Sequence, residues 1–288
     1  MSSKEIICVL GDSFAGHRNN ALWNKSDPSL NKPWSWVNLL ESNNASEMLG
    51  MSFPGQSYFH QRRWYLQNML FAQNTSETVL ILVHTSPWRL PHQQDVPVTA
   101  HILTADKNNS DSNEIYSTDP TGSLFDLAKI FFTSNLFVDD FYASVFYSWL
   151  AELPELTRKY KKVIHLFGFE SRLNNLPDKF TSRFYVGKLL TDNAVVVTTP
   201  LVSLTLAEGE KNVFGGPDIG NGRANHFNAH NNQQLYQEIV HIIENVPGGT
   251  FYDLNLDHWD LKDKSKLEKL KLHRDNFDPT NPVNNPLI

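Results

Sequence analysis

The stretch Glu5-Ile6-Ile7-Cys8-Val9-Leu10-Gly11-Asp12-Ser13 is apolar from Ile6 to Leu10 and then breaks on a glycine, an acid and a serine. A strand buried on both faces reads in this unbroken way, because helices cover both sides of a parallel sheet. Outward from it, the same signal recurs at Thr78–Val83, Lys162–Phe167 and Ala194–Thr198, and another strand is expected at Ala45–Gly50. Between these runs the apolar spacing predicts helices. They are Trp34–Glu41 behind Pro33, Ser57–Asn74, one or two within Phe125–Tyr160, and Asn232–Glu244. Strand and helix alternate as far as about Asn245. That order predicts an α/β fold, a three-layer α/β/α sandwich on a mostly parallel central sheet.

Two regions fall outside the alternation. Pro91–Leu124 is rich in Asn, Ser, Asp, Thr and Pro and reads as an insertion, about 91–124, after a central strand. Two readings of it stand open: a lid or substrate wall at the strand's carboxyl end, and a tolerated surface insertion. Thr250–Ile288 has another character, with Asp-His-Trp-Asp at Asp257–Asp260, a lysine-rich helical run at Lys262–Lys271 and an Asn- and Pro-rich close. The expected division is one domain over 1–249 and a C-terminal extension over 250–288, wrapped around the domain or binding a partner. No internal repeat is present.

The bulk numbers narrow the function classes. The 288 residues are 40% hydrophobic and 19% charged, with a net charge of −6. Nucleic-acid binding usually leaves a basic footprint, and none is seen. No apolar run is long enough to span a bilayer, so no membrane partner is expected. No signal-peptide core precedes the first strand, and a cytoplasmic location is the expectation. The single cysteine, Cys8, sits inside the first apolar run and reads as a buried small hydrophobe. Metal-ligand spacings, a phosphate-binding loop and a dinucleotide glycine fingerprint are all missing, so no metal and no cofactor are expected.

Four segments carry groups suited to acyl-transfer chemistry. At Gly11-Asp12-Ser13-Phe14, a tight turn after a strand lifts the serine out of the sheet and leaves its N–H available to an oxyanion. A serine hydroxyl needs a base to become a nucleophile. At Pro54-Gly55-Gln56-Ser57, Gly55 lets the backbone approach a ligand at a helix N-terminus. The plainer reading is a Pro-Gly turn with Ser57 as N-cap. At His84-Thr85-Ser86-Pro87-Trp88-Arg89, polar residues follow the strand Thr78–Val83. His84 and Asp12 are candidate substrate contacts there, and Arg89 suits a substrate anion or a structural acid. At Asn225-His226-Phe227-Asn228, His226 lies in the loop that leads into a helix beginning near Ala229, with Asn228 as its N-cap. Of the 11 histidines, His226 alone is placed to serve a serine at the end of the first strand.

In this order, the four segments resemble the blocks of the SGNH/GDSL hydrolase family, over about Glu5 to Glu244. The resemblance implies the flavodoxin-like form of the three-layer fold, with Ser13 as nucleophile, His226 as base and Gly55 as an oxyanion donor beside Ser13. Two positions depart from the family pattern. Ser86 stands where the family has an oxyanion asparagine. Arg223 stands where it has the triad acid, and Asp218 is the nearest acid upstream. The resemblance implies a serine esterase, often one acting on a carbohydrate O-acetyl group or another small ester, with no cofactor. Two other classes remain open on the residues: a binding or assembly protein that has kept the fold without the chemistry, and an acyltransferase using the same Ser–His pair.

Overall fold

The computed structural model describes residues 5–15, 35–52, 57–70, 72, 75–85, 130, 139–168, 186–208 and 227–275. Six strands form one sheet: β1 (Glu5–Gly11), β2 (Ala45–Ser52), β3 (Thr78–His84), β4 (Lys162–Phe167), β5 (Ala194–Val197) and β6 (Thr250–Tyr252). Their order is β2-β1-β3-β4-β5-β6, and every neighbouring pair is parallel. The helices among the described residues are α1 (Trp36–Asn43), α2 (Tyr58–Asn68), α3 (Asp139–Thr157), α4 (Leu201–Ala207), α5 (Ala229–Asn245) and α6 (Lys264–Asp275). The fold is the expected three-layer α/β/α sandwich.

Alternation along each strand divides the core between the two faces. Ile7, Val9, Val79, Ile81, Val83, Ile164, Leu166, Val195 and Val197 point to a first face, covered by α1, α4, α5 and α6. Cys8, Leu10, Leu80, Leu82, Val163, Phe167 and Val196 point to a second, covered by α2 and α3. All seven residues of β3 are buried, which is why its sequence shows no polar alternation.

Side-chain caps set where several helices begin. Ser35 accepts from the N–H of Asn38 at 3.4 Å, so α1 starts at Trp36 and not at Trp34. Asn228 accepts from Asn231 N at 2.8 Å and starts α5 at Ala229. Asp263 accepts from Ser265 N and Lys266 N at 3.0 and 3.1 Å and opens α6. These bonds satisfy N–H groups that have no partner inside the helix. The helix expected as far as Asn74 ends at Asn68, where the chain turns towards β3.

Two elements were not expected from the sequence. One is α4, directly behind β5. The other is β6, whose three residues pair with Val195–Val197. Leu254, Trp259 and Leu270 join the core of the first face, so residues 250–275 pack against the same sheet as the rest. The step from β3 to β4 runs over the second face through α3. The step from β5 to β6, in the same direction, runs over the first face through α4 and α5.

Candidate active site

The carboxyl ends of the strands lie at one edge of the sheet. Gly11 of β1 is in register with Ser52 of β2, Leu10 with Leu82 of β3, and His84 of β3 with Phe167 of β4. From β1 the chain first steps to β2 on one side and then crosses to β3 on the other. That reversal makes the β1–β3 boundary a topological switch point, the usual ligand position in open α/β sheets. Ser13 follows β1, and Ser86 follows Thr85 at the end of β3. The segment with Gly55 joins Ser52 of β2 to Ser57 at the head of α2. Three of the four sequence segments thus leave the sheet at this edge.

The turn after β1 is held by its own polar atoms. Asp12 is fully buried. Its Oδ1 accepts from the N–H of Phe14 at 3.0 Å, and its carbonyl accepts from the N–H of Ala15 at 3.0 Å. Neither bond uses the N–H of Ser13, which begins the short 3-10 turn Ser13–Ala15. Such an Asx turn is a favoured task for aspartate. The second carboxylate oxygen of Asp12 accepts from the Thr85 hydroxyl at 3.2 Å, which ties the serine turn to the segment that carries Ser86. Gly11 is required for close approach: a Cβ there would stand 2.6 Å from the Cβ of Ala15 and 2.9 Å from that of Val83. Gly168 closes the group from β4, where a Cβ would lie 3.1 Å from the His84 carbonyl oxygen and 3.6 Å from Asp12 Oδ2.

The fourth segment is brought in from α5. The rings of Phe14 and Phe227, the residues immediately after Ser13 and His226, are 5.7 Å apart between centroids. Trp36 donates its indole N–H to the Phe14 carbonyl at 2.6 Å, and its backbone N–H to Asn232 Oδ1 at 3.2 Å. Asn232 in turn donates to the carbonyls of Phe227 and Asn228 at 2.9 and 3.1 Å. One buried chain of bonds therefore runs from the serine turn through Trp36 and Asn232 to the histidine segment. Sequence reasoning missed Trp36, Thr85 and Asn232. The trace left by Asn232 is a pair of asparagines, Asn231-Asn232, in a first helical turn, where asparagine is a poor interior residue.

Three of the sequence candidates, Asp12, Ser13 and His84, lie among the described residues. Ser13 is described by its backbone alone, at the start of the turn. Gly55, Ser86, Arg89, Asp218 and His226 lie outside the described residues, as does Arg223. Asp12 and His84, read from the sequence as substrate contacts, are both buried and bonded inward. His84 Nε2 lies 2.9 Å from Nδ1 of His165, with the rings nearly coplanar at 8°, and its ring meets Phe167 at 4.9 Å. Burial, and then the neighbouring His165, hold the His84 pKa well below the usual imidazole range. Burial pushes His165 down to about 3. Both rings are thus neutral near pH 7, one donating to the other. Ser57 heads α2 without capping it, and its hydroxyl lies 3.3 Å from Nδ1 of His60. Among the described residues, no group of three or more His, Cys, Asp or Glu is set to hold a metal ion, and no helix is long and apolar enough to cross a membrane.

No protein-family model matches the chain, and no curated protein matches it. Among solved structures, the chain is similar to the crystal structure of phospholipase A1 from Streptomyces albidoflavus NA297. The identity is 14%, over 83% of this chain and 75% of that one, with a TM-score of 0.28.

Proposed function

We propose that this protein is a serine esterase of the SGNH/GDSL type, acting on a small ester of the carbohydrate O-acetyl class. The observation that carries the reading is the link between Phe14 and Phe227 through Trp36 and Asn232, which draws together the residues that follow Ser13 and His226. Supporting it, the segments that bear Ser13, Gly55 and Ser86 all leave the sheet at its carboxyl edge, from β1, β2 and β3 beside the point where the strand order reverses.

The chemistry follows from those roles. His226 takes the proton of the Ser13 hydroxyl as the serine oxygen bonds to the ester carbonyl carbon. Charge gathers on the carbonyl oxygen, where the N–H groups of Ser13 and Gly55 and the hydroxyl of Ser86 donate to it. His226 then returns its proton to the departing alcohol as the C–O bond breaks. Water, deprotonated by His226, attacks the acyl-serine and releases the acid, and the serine recovers its proton. Asp218 is the candidate for orienting the imidazole. In this reading Asp12 and His84 act from within the protein, Asp12 by shaping the serine turn. Arg89 meets an anionic part of the substrate.

The test is labelling with a fluorophosphonate probe alongside hydrolysis of 4-nitrophenyl acetate. Ser13→Ala is expected to remove labelling and to cut turnover by about a thousandfold or more. Label that survives in Ser13→Ala, or a wild-type protein that neither labels nor turns over, overturns the esterase reading and leaves a binding protein. Acyl transfer to a sugar acceptor in preference to water would make it a transferase.

A further inference from the structure

We propose that Thr85 is a positioning residue for the turn that carries Ser13, its buried hydroxyl setting the Asp12 carboxylate that shapes that turn. This rests on the esterase reading and deepens it. Thr85 directly follows β3 and is buried, and Asp12 directly follows β1 and is fully buried. The Thr85 hydroxyl donates to Asp12 Oδ2 at 3.2 Å, while Oδ1 accepts from the N–H of Phe14 at 3.0 Å. The two oxygens share one plane, so a donor on the second helps fix where the first points. The last torsion of aspartate is broad, and each donor narrows the positions it takes. Threonine suits this task, because its branched Cβ holds the hydroxyl to few rotamers.

Thr85 is itself held by the sheet. Three consecutive residues at the end of β3 are tied to three different elements. The Val83 carbonyl accepts from the side-chain amide of Gln61 in α2 at 3.2 Å. The His84 carbonyl accepts from the N–H of Gly168, directly after β4, at 2.8 Å. Thr85 then reaches across the switch point to Asp12. Gly168 extends the restraint, since its own carbonyl accepts from Val202 N in α4 at 3.0 Å. The serine turn therefore takes its position from the end of β3 as well as from β1. Phe14 also gives its carbonyl to Trp36, so the residue after Ser13 is held at both its N–H and its C=O. A displacement of about 1 Å at a reacting group can cost on the order of a hundredfold in rate, so a loosened turn is read in kcat.

The experiment uses the full chain. Thr85→Val keeps the shape of the side chain and removes the donor, whereas Thr85→Ser keeps the donor. Two quantities are measured: amide hydrogen exchange at Phe14 in the folded protein, by 15N NMR, and turnover of 4-nitrophenyl acetate. In Thr85→Val, exchange at Phe14 is expected to speed about fivefold, the worth of one hydrogen bond, with Leu10 and Leu82 in the strands unmoved. There kcat falls about tenfold at unchanged KM, and Thr85→Ser recovers most of both losses. Thr157→Val is the control. It deletes another buried threonine hydroxyl, bonded to the Leu153 carbonyl at 2.7 Å in α3, and leaves Phe14 exchange and kcat level. If Thr85→Val fails to fold, Thr85→Ala decides by the same two readings. Unchanged exchange at Phe14 in the folded variant overturns the proposal, as does an equal fall of kcat in Thr157→Val. Should the wild type show neither labelling nor turnover, the esterase reading fails separately, and exchange at Phe14 still decides whether Thr85 sets the turn.

Discussion

The two faces of the sheet are built from different material. Over the first, α4, α5 and α6 lay Leu201, Leu204, Leu235, Ile239, Ile242 and Leu270 on the aliphatic side chains of the strands. Over the second, α2 and α3 supply Tyr58, Tyr65, Phe146, Tyr147, Trp149 and Leu150, and the polar pair His84–His165 is buried beneath them. Polar atoms on the second face need partners. The Tyr65 hydroxyl donates to the Leu156 carbonyl at 2.8 Å, and the two imidazoles bond to each other. The first face holds the bonds that run from the serine turn to the histidine segment, through Trp36 and Asn232. Both faces are packed, and the first also ties the serine turn to the start of α5.

That division can be broken by substitution. Trp149→Ala, in the fully buried layer over the second face, is expected to cost about 3–5 kcal/mol of stability, read from the urea midpoint. Fluorophosphonate labelling per folded molecule should hold. A matching loss of labelling would mean the two faces are not separable.

The next effect is one of pH. His84 and His165 are held neutral in the folded protein, while an unfolded histidine titrates near pH 6.5. Below that value the unfolded chain binds protons that the folded one refuses. Stability from this pair is therefore present above about pH 6.5 and falls as the pH drops towards the folded values, by about 2 kcal/mol for His165 down to about pH 5 and in the same direction for His84. Urea unfolding at pH 7 and pH 5 measures this, and the double variant His84→Gln/His165→Gln should flatten the difference. An unchanged slope in that variant would place the acid sensitivity elsewhere.

The smallest change is the most telling about the site. Trp36→Phe deletes the indole donor to the Phe14 carbonyl, and Tyr65→Phe deletes the hydroxyl donor to the Leu156 carbonyl. Each bond contributes about 1 kcal/mol. Labelling should slow several-fold in Trp36→Phe and stay level in Tyr65→Phe, because only the first donor belongs to the chain of bonds that joins Phe14 to Phe227. Equal labelling rates in the two variants would remove Trp36 from the site.

The strands were legible because burial on both faces leaves a continuous apolar run. Lys162–Phe167 was read with both ends in place, and the run from Glu5 ended one residue short of Gly11. The Gly-Asp-Ser turn was legible for a local reason as well, since Asp12 bonds to a backbone N–H two residues on. β6 was not legible. Its three residues are only partly buried, and they extend because the open edge of β5 offers N–H and C=O groups to pair with. Asp12 and His84 were read as facing substrate because polar residues at strand ends often do. That each bonds inward depends on Thr85 and His165, residues far from them in the chain.

By itself, then, the sequence determined the α/β class, the parallel sheet and the turn that presents Ser13, all of which arise from interactions within a few residues or from burial that imprints a period. The tertiary structure alone decided that Trp36 meets Asn232 across 196 residues, that His84 pairs with His165, and that Glu208 holds Asn228. Such contacts form between elements already packed. They depend on how the layers sit together and leave no spacing in the chain to be read beforehand.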